Sequence, residues 1–161
     1  MSHPTCPLWR RLVALAYDLL IVLAIVMVVG LLCQLATGGQ LIATGAHAVA
    51  PLWYQGLQGV VVAAYFIVSW RRGGQTVGMR PWRIRVCRDD GGTISLQQAA
   101  IRVLVAAAPM LLLALAPMLG LHATLWAVLG AWTLWFAVAL FDPRGRALHD
   151  IAADTEVQRT D

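Results

Sequence analysis

Charge is what this sequence has least of. Only 12% of its 161 residues are Asp, Glu, Lys or Arg, against about 25% in ordinary soluble proteins. Lysine is absent, so all 12 basic residues are arginine. The three cysteines, Cys6, Cys33 and Cys87, lie far apart and form no C-x-x-C or Cys/His metal spacing. They exclude a disulfide scaffold. No internal repeat and no low-complexity tract is present. So few charges cannot clothe a soluble domain of this size, and 60% apolar residues with a mean hydropathy of +0.71 rule out disorder. A polytopic membrane protein remains.

Four apolar runs carry that reading. Leu12 to Ala36 is broken only by Tyr17, Asp18 and Gln34, and 25 helical residues span about 37 Å, enough to cross a hydrocarbon core of about 30 Å. Arg10 and Arg11 resemble the charged start of a signal peptide. The run is too long for one, holds a carboxylate, and is followed by no A-x-A site. A second run, Leu52 to Trp70, follows the uncharged linker 37–51. Trp53 and Trp70 lie about 25 Å apart on a helix, a spacing that predicts an indole near each membrane interface. Gly56 and Gly59 offer a flat place for a neighbouring helix. The third run starts at Ser95, whose S-x-x-Q spacing with Gln98 predicts a capping box. It continues to Leu119 through Pro109 and Pro117, which predict kinks. Gly120 to His122 form a turn, and a fourth run goes from Ala123 to Phe141, stopped by Asp142-Pro143. The expected architecture is all-α and polytopic, one membrane domain over residues 1–161 with helices at about 11–36, 52–70, 96–119 and 123–141.

Between them, residues 71–95 are too polar to span. Ile84 and Val86 alternate with Arg83, Arg85 and Arg88, a period-two pattern followed by the turn sequence DDGG, which predicts a short surface hairpin. The glycines here lack the Lys-Ser/Thr pair of a phosphate-binding loop. Arg10 and Arg11 precede the first helix, six arginines fill the 71–95 connection, and Arg144, Arg146 and Arg159 follow the fourth helix. The other two connections have none. Positive-inside bias therefore predicts four crossings with both termini in the cytoplasm of a bacterial inner membrane, and a basic cytoplasmic loop from Arg71 to Gly92. Topology accounts for the arginines, so a nucleic-acid partner is not expected.

Asp18 is the most informative single residue. A carboxylate inside a transmembrane helix costs about 2.5–3.5 kcal/mol on insertion scales and normally finds a partner. Arg11 shares its helix face but sits about 10 Å away along the axis. Arg102, seven residues past the Ser95 cap on a helix that starts at the same side, has a similar depth. It is the expected partner. His149 and Asp150 follow the fourth helix without any H-E-x-x-H spacing, so a solvated, arginine-paired tail is expected rather than a metal site. His3, His47 and His122 are isolated. No nucleophile, metal set, nucleotide loop or cofactor motif appears, and an enzyme is not expected.

The segments PLWRRLVALAYD, GQTVGMRPWRIRV, DDGGTISLQQAAIR and DPRGRALHDIAADTEV, taken in this order, resemble the RDD family over nearly the whole chain. The resemblance matches the family's arginine and two aspartates to Arg11, Asp18 and Asp150. One departure is Asp154, which stands where a glycine commonly follows the alanine. The resemblance implies a multi-pass membrane protein with transport suggested for the family, and sodium/proton exchange for some relatives. Together these readings predict one buried polar cluster of Arg11, Asp18, Arg102 and Asp150. They add a set of loop residues, Gly74, Gln75, Thr76, Gly78 and Arg80. The expected partners are the lipid bilayer, an ion or small solute, and a second copy of the chain. The alternative is a non-transporting module that binds partners or anionic lipid through its basic loop.

Overall fold

The computed structural model describes residues 6–41 and 50–160. Positions 42–49 of the uncharged linker, with His47, lie outside the described residues, as do His3 and Asp161. The elements run α1 (Leu8–Ala36), α2 (Leu52–Gly73), β1 (Ile84–Arg88), α3 (Leu96–Ala107), a 3₁₀ segment (Ala108–Leu115), α4 (Ala116–Leu119), α5 (Leu121–Phe141), α6 (Leu148–Ala152) and β2 (Thr155–Arg159). Four stretches are long and apolar enough to cross a membrane: α1, α2, Leu96–Leu119 and α5.

The third span shows how proline is accommodated. Ser95 and Gln98 close the expected capping box at 3.1 and 3.0 Å. Pro109 then has no amide for the carbonyl four residues back, and the helix tightens to 3₁₀ there. The exposed carbonyls are taken by α5: the Trp135 indole donates to the Val105 oxygen at 3.1 Å, and Trp132 to Ala106 at 3.0 Å. A span that would otherwise leave polar backbone in lipid is thereby satisfied by its neighbour. Gly120, at φ +82°, makes the break before α5.

The spans lie side by side, α1 on α2, α2 on α3, and α5 against the 3₁₀ segment. None of the most apolar 18-residue window of α1 or α2 is buried. The hydrophobic core sits instead at the arginine-rich end, where Cys6, Ala14, Trp70, Ile84, Val86, Ile94, Ala99 and Val157 pack together. Gly56 and Gly59 face open space rather than a neighbouring helix. Trp70, at the arginine-rich end of α2, is 6% exposed: its indole packs in the core with Ile84, Ile94 and Ala99 instead of facing outward.

That core is covered by a two-stranded sheet. The strand expected in the 71–95 connection forms at β1, but its partner is not the residues after DDGG. It is β2, at the far end of the chain, antiparallel with Val86 opposite Val157 and Cys87 opposite Glu156. The tail expected to be solvated is thus folded. Thr155, Val157 and Gln158 are buried, and α6 turns Asp150 inward. A strand with an apolar face at the bottom of the bundle gains more from pairing over the core than from a local turn, since a lone hairpin is marginal.

Candidate functional site

Two buried carboxylates organise the arginine-rich end, and they are held differently. Asp18 is 2% exposed, on the α1 face that meets α2 and the following connection. Its Oδ1 accepts from the Tyr65 hydroxyl at 2.8 Å and the Gly78 amide at 2.9 Å; its Oδ2 accepts from the Thr76 hydroxyl at 2.5 Å. Among the described residues no ion pair includes Asp18. Hydrogen bonds to a charged group each contribute roughly 1.5–3 kcal/mol, so three of them offset an insertion cost of about 2.5–3.5 kcal/mol. Counting back about 20 residues from Ala36, the length a span needs, reaches Tyr17. Asp18 therefore lies where the span begins.

The connection 74–80 reaches Asp18 because its glycines permit it. A Cβ on Gly78 would lie 2.7 Å from the Asp18 carboxyl carbon and against the Ala14 carbonyl. Gly74 takes φ +69° with its Cβ position 2.5 Å from the Val86 carbonyl, and it ends α2 by donating to Trp70. Gln75 donates to the Ile84 carbonyl at 2.9 Å, joining the connection to β1. Thr76 is fully buried, whereas Arg80 is exposed and touches no carboxylate among the described residues.

Asp150, 1% exposed, is the centre of an arginine cluster. Its Oδ1 pairs closely with Arg102, and its Oδ2 meets Arg11 at 3.2 Å and the Ala147 amide at 3.0 Å. Arg11 also donates to the carbonyls of Gly145 at 2.7 Å and Val157 at 3.3 Å. Arg102 donates to the Thr155 hydroxyl at 2.7 Å and lies 4.9 Å over the Trp70 ring. Burial works against ionisation of Asp150, but the charges of Arg102 and Arg11, the Ala147 amide and, in acid where it is protonated, His149 outweigh it and hold the carboxyl below its ordinary range. His149 is pushed down to about 4, by burial first and by the two arginines, against the pull of Asp150. It is neutral at pH 7, with its ring edge-on to Phe136 at 5.6 Å.

The expected four-residue cluster is therefore divided. Arg11, Arg102 and Asp150 come together, and Asp18 does not join them. The expected Asp18–Arg102 pair is replaced by Asp150–Arg102 because α6 brings a carboxylate onto α3 from below, while Asp18 faces α2. The sequence reading missed Tyr65 and Thr155, and it singled out Trp70 without its contact with Arg102. Thr155 belongs to the alternation TEVQR, a period-two signal in the tail; Tyr65, one polar side chain in an apolar run, had none. Among the described residues, no group of three or more His, Cys, Asp or Glu side chains is placed to hold a metal.

Four apolar spans over a polar, arginine-rich cap define a polytopic helical membrane protein. The RDD family profile matches residues 5–154, and the chain belongs to the RDD family. No curated protein and no solved structure gives a significant match.

Proposed function

We propose that this protein is a component of small-cation transport across the bacterial cytoplasmic membrane, with Asp18 as the exchangeable carboxylate. One observation carries the reading. Asp18 is a buried carboxylate in no ion pair among the described residues, held by two hydroxyls and a backbone amide. A hydroxyl is both donor and acceptor. Tyr65 and Thr76, which now donate to the carboxylate, can turn their lone pairs towards a proton-carrying carboxyl or a monovalent cation in the same place. A carboxylate neutralised by arginine has no such freedom. Four spans with a largely unburied α1 and α2 enclose no path of their own, so the transporting unit in this reading is a homo-oligomer or a complex.

The arginine distribution supports placing the cap and both termini in the cytoplasm; reporter fusions at Gly74 and His122 would then read opposite sides, and agreement between them would reject this. Catalysis has no part in the reading. The test is flux from purified protein in proteoliposomes carrying proton- and sodium-sensitive dyes. Wild type should give flux, and Asp18→Asn should abolish it while retaining the thermal unfolding of the wild type. Unaltered flux in Asp18→Asn, or none from well-folded wild-type oligomer, would reject transport through Asp18. Partner capture by the 71–92 loop would then favour a non-transporting module.

A further inference from the structure

Carboxylates are spread unevenly over the cap. Beside the β1–β2 end that carries Arg88, Arg144 pairs with Asp89 at 2.8 Å, Arg88 with Asp90 at 3.4 Å and Arg146 with Asp142 at 3.1 Å. The opposite end has a different balance. Arg10, Arg80, Arg83 and Arg159 have no carboxylate partner among the described residues. These four are neighbours. Arg159 stands opposite Ile84 in the ladder, the Thr160 amide donates to the Arg83 carbonyl at 2.8 Å, and the Arg83 amide donates to Arg80 at 3.1 Å. Arg10 lies 5.3 Å over the Trp9 ring, and Trp9 meets Trp82 edge-on at 5.6 Å.

Tyr17 meets the same Trp82 ring at 6.3 Å, so three aromatic rings form a ledge along the start of α1. Trp9 and Tyr17 are about half exposed, and Leu12, Leu19, Leu20 and Leu23 continue the exposed surface along the helix. Amphipathic rings of this kind settle at headgroup level. The Arg10 Nε and the Trp82 indole nitrogen are shielded from solvent and lack a hydrogen-bond partner. Arginines gathered at one end without a carboxylate partner among the described residues favour a phosphate, which can accept from more than one guanidinium.

We propose that this ledge binds the headgroup of an anionic phospholipid, its phosphate among Arg10, Arg80, Arg83 and Arg159 and its acyl chains along the leucines of α1. A net negative lipid is selected over a zwitterionic one because, among the described residues, no carboxylate pairs with these arginines. The ledge borders the Asp18 surroundings through Tyr17 and Arg80, but its test reads lipid retention and not flux. The full-length protein is released from nanodiscs of equal phosphatidylglycerol and phosphatidylcholine, and retained lipid is counted by native mass spectrometry. Phosphatidylglycerol should be retained at least about tenfold over phosphatidylcholine, given the attraction each surface arginine adds. Arg80→Gln, Arg83→Gln and Arg159→Gln together should remove the preference. Arg88→Gln, Arg144→Gln and Arg146→Gln together, at the acid-paired end, should keep it. If the first triple variant does not fold, the exposed single variants Arg83→Gln and Arg159→Gln should each lower the preference. Equal retention of both lipids by wild type, equal loss in both triple variants, or displacement of the lipid by inorganic phosphate would overturn the site.

Discussion

Asp18 and Asp150 are buried to nearly the same degree, and their surroundings give them opposite properties. Asp150 is fixed by two arginines, and the pair is costly to break: removing one partner of a buried ion pair leaves an uncompensated charge worth about 3–5 kcal/mol. Asp18 is held by dipoles. A double-mutant cycle distinguishes the two. Arg102→Met and Asp150→Leu should each destabilise strongly, and the double variant should be milder than their sum. Asp18→Asn combined with Arg102→Met should be additive within about 0.5 kcal/mol, as for sites without shared partners. Coupling between Asp18 and Arg102 in thermal or denaturant unfolding would contradict the division of the site. Asp154 belongs to this scale too. It takes φ +48°, the left-handed region where glycine is free and Asp is among the tolerated exceptions.

Among the elements, the four spans were legible because length and apolar content suffice to fix them; their bounds moved only by a few residues at the polar ends. The prolines of the third span were legible as breaks, but their tryptophan partners on α5 were not, since side-chain donors to freed carbonyls leave no periodic trace. β1 was visible in its alternation. Its pairing was not, because a strand's partner depends on which face of the core is still uncovered. The short α6 depends on acid conditions in a way its sequence hides. His149 is neutral in the folded cap with a pKa of about 4, whereas in the unfolded chain it titrates near 6.5. As pH falls from 6.5 towards 4, the unfolded state takes up the proton first, so stability drops, by on the order of 2 kcal/mol at pH 4.5. Asp150 acts later. Its depressed carboxyl keeps its contribution down to the ordinary carboxylate range and loses it only below. His149→Gln should remove the loss between pH 6.5 and 4.5 in thermal unfolding. An equal loss in the variant and the wild type would show that α6 is not the acid-labile clamp.

At the scale of the whole molecule, the chain is closed on itself at one end. The start of α1 is tied through Arg11 to α6 and β2, and β2 is paired to the connection that reaches Asp18. Residues from the first, middle and last parts of the sequence thus share one cap, and the apolar spans extend from it with most of their surface left for lipid. Composition and arginine placement predicted the spans and which ends lie together. They could not predict the cap, because its core draws single residues from elements far apart in the chain, such as Ala14, Trp70, Ala99 and Val157, and periodicity within each element does not say which others it meets. The strand pairing across the chain is the claim on which the site's architecture rests, and a native thiol offers its test. Cys87 faces Glu156 across the ladder, a directly opposed pair within the reach of a disulfide. Mild oxidation of Glu156→Cys should link residues 87 and 156, identified by peptide mass, while Val157→Cys, on the opposite face of the strand, should not link to Cys87. Linkage through Val157→Cys, or none through Glu156→Cys in folded protein, would contradict the pairing of β1 with β2.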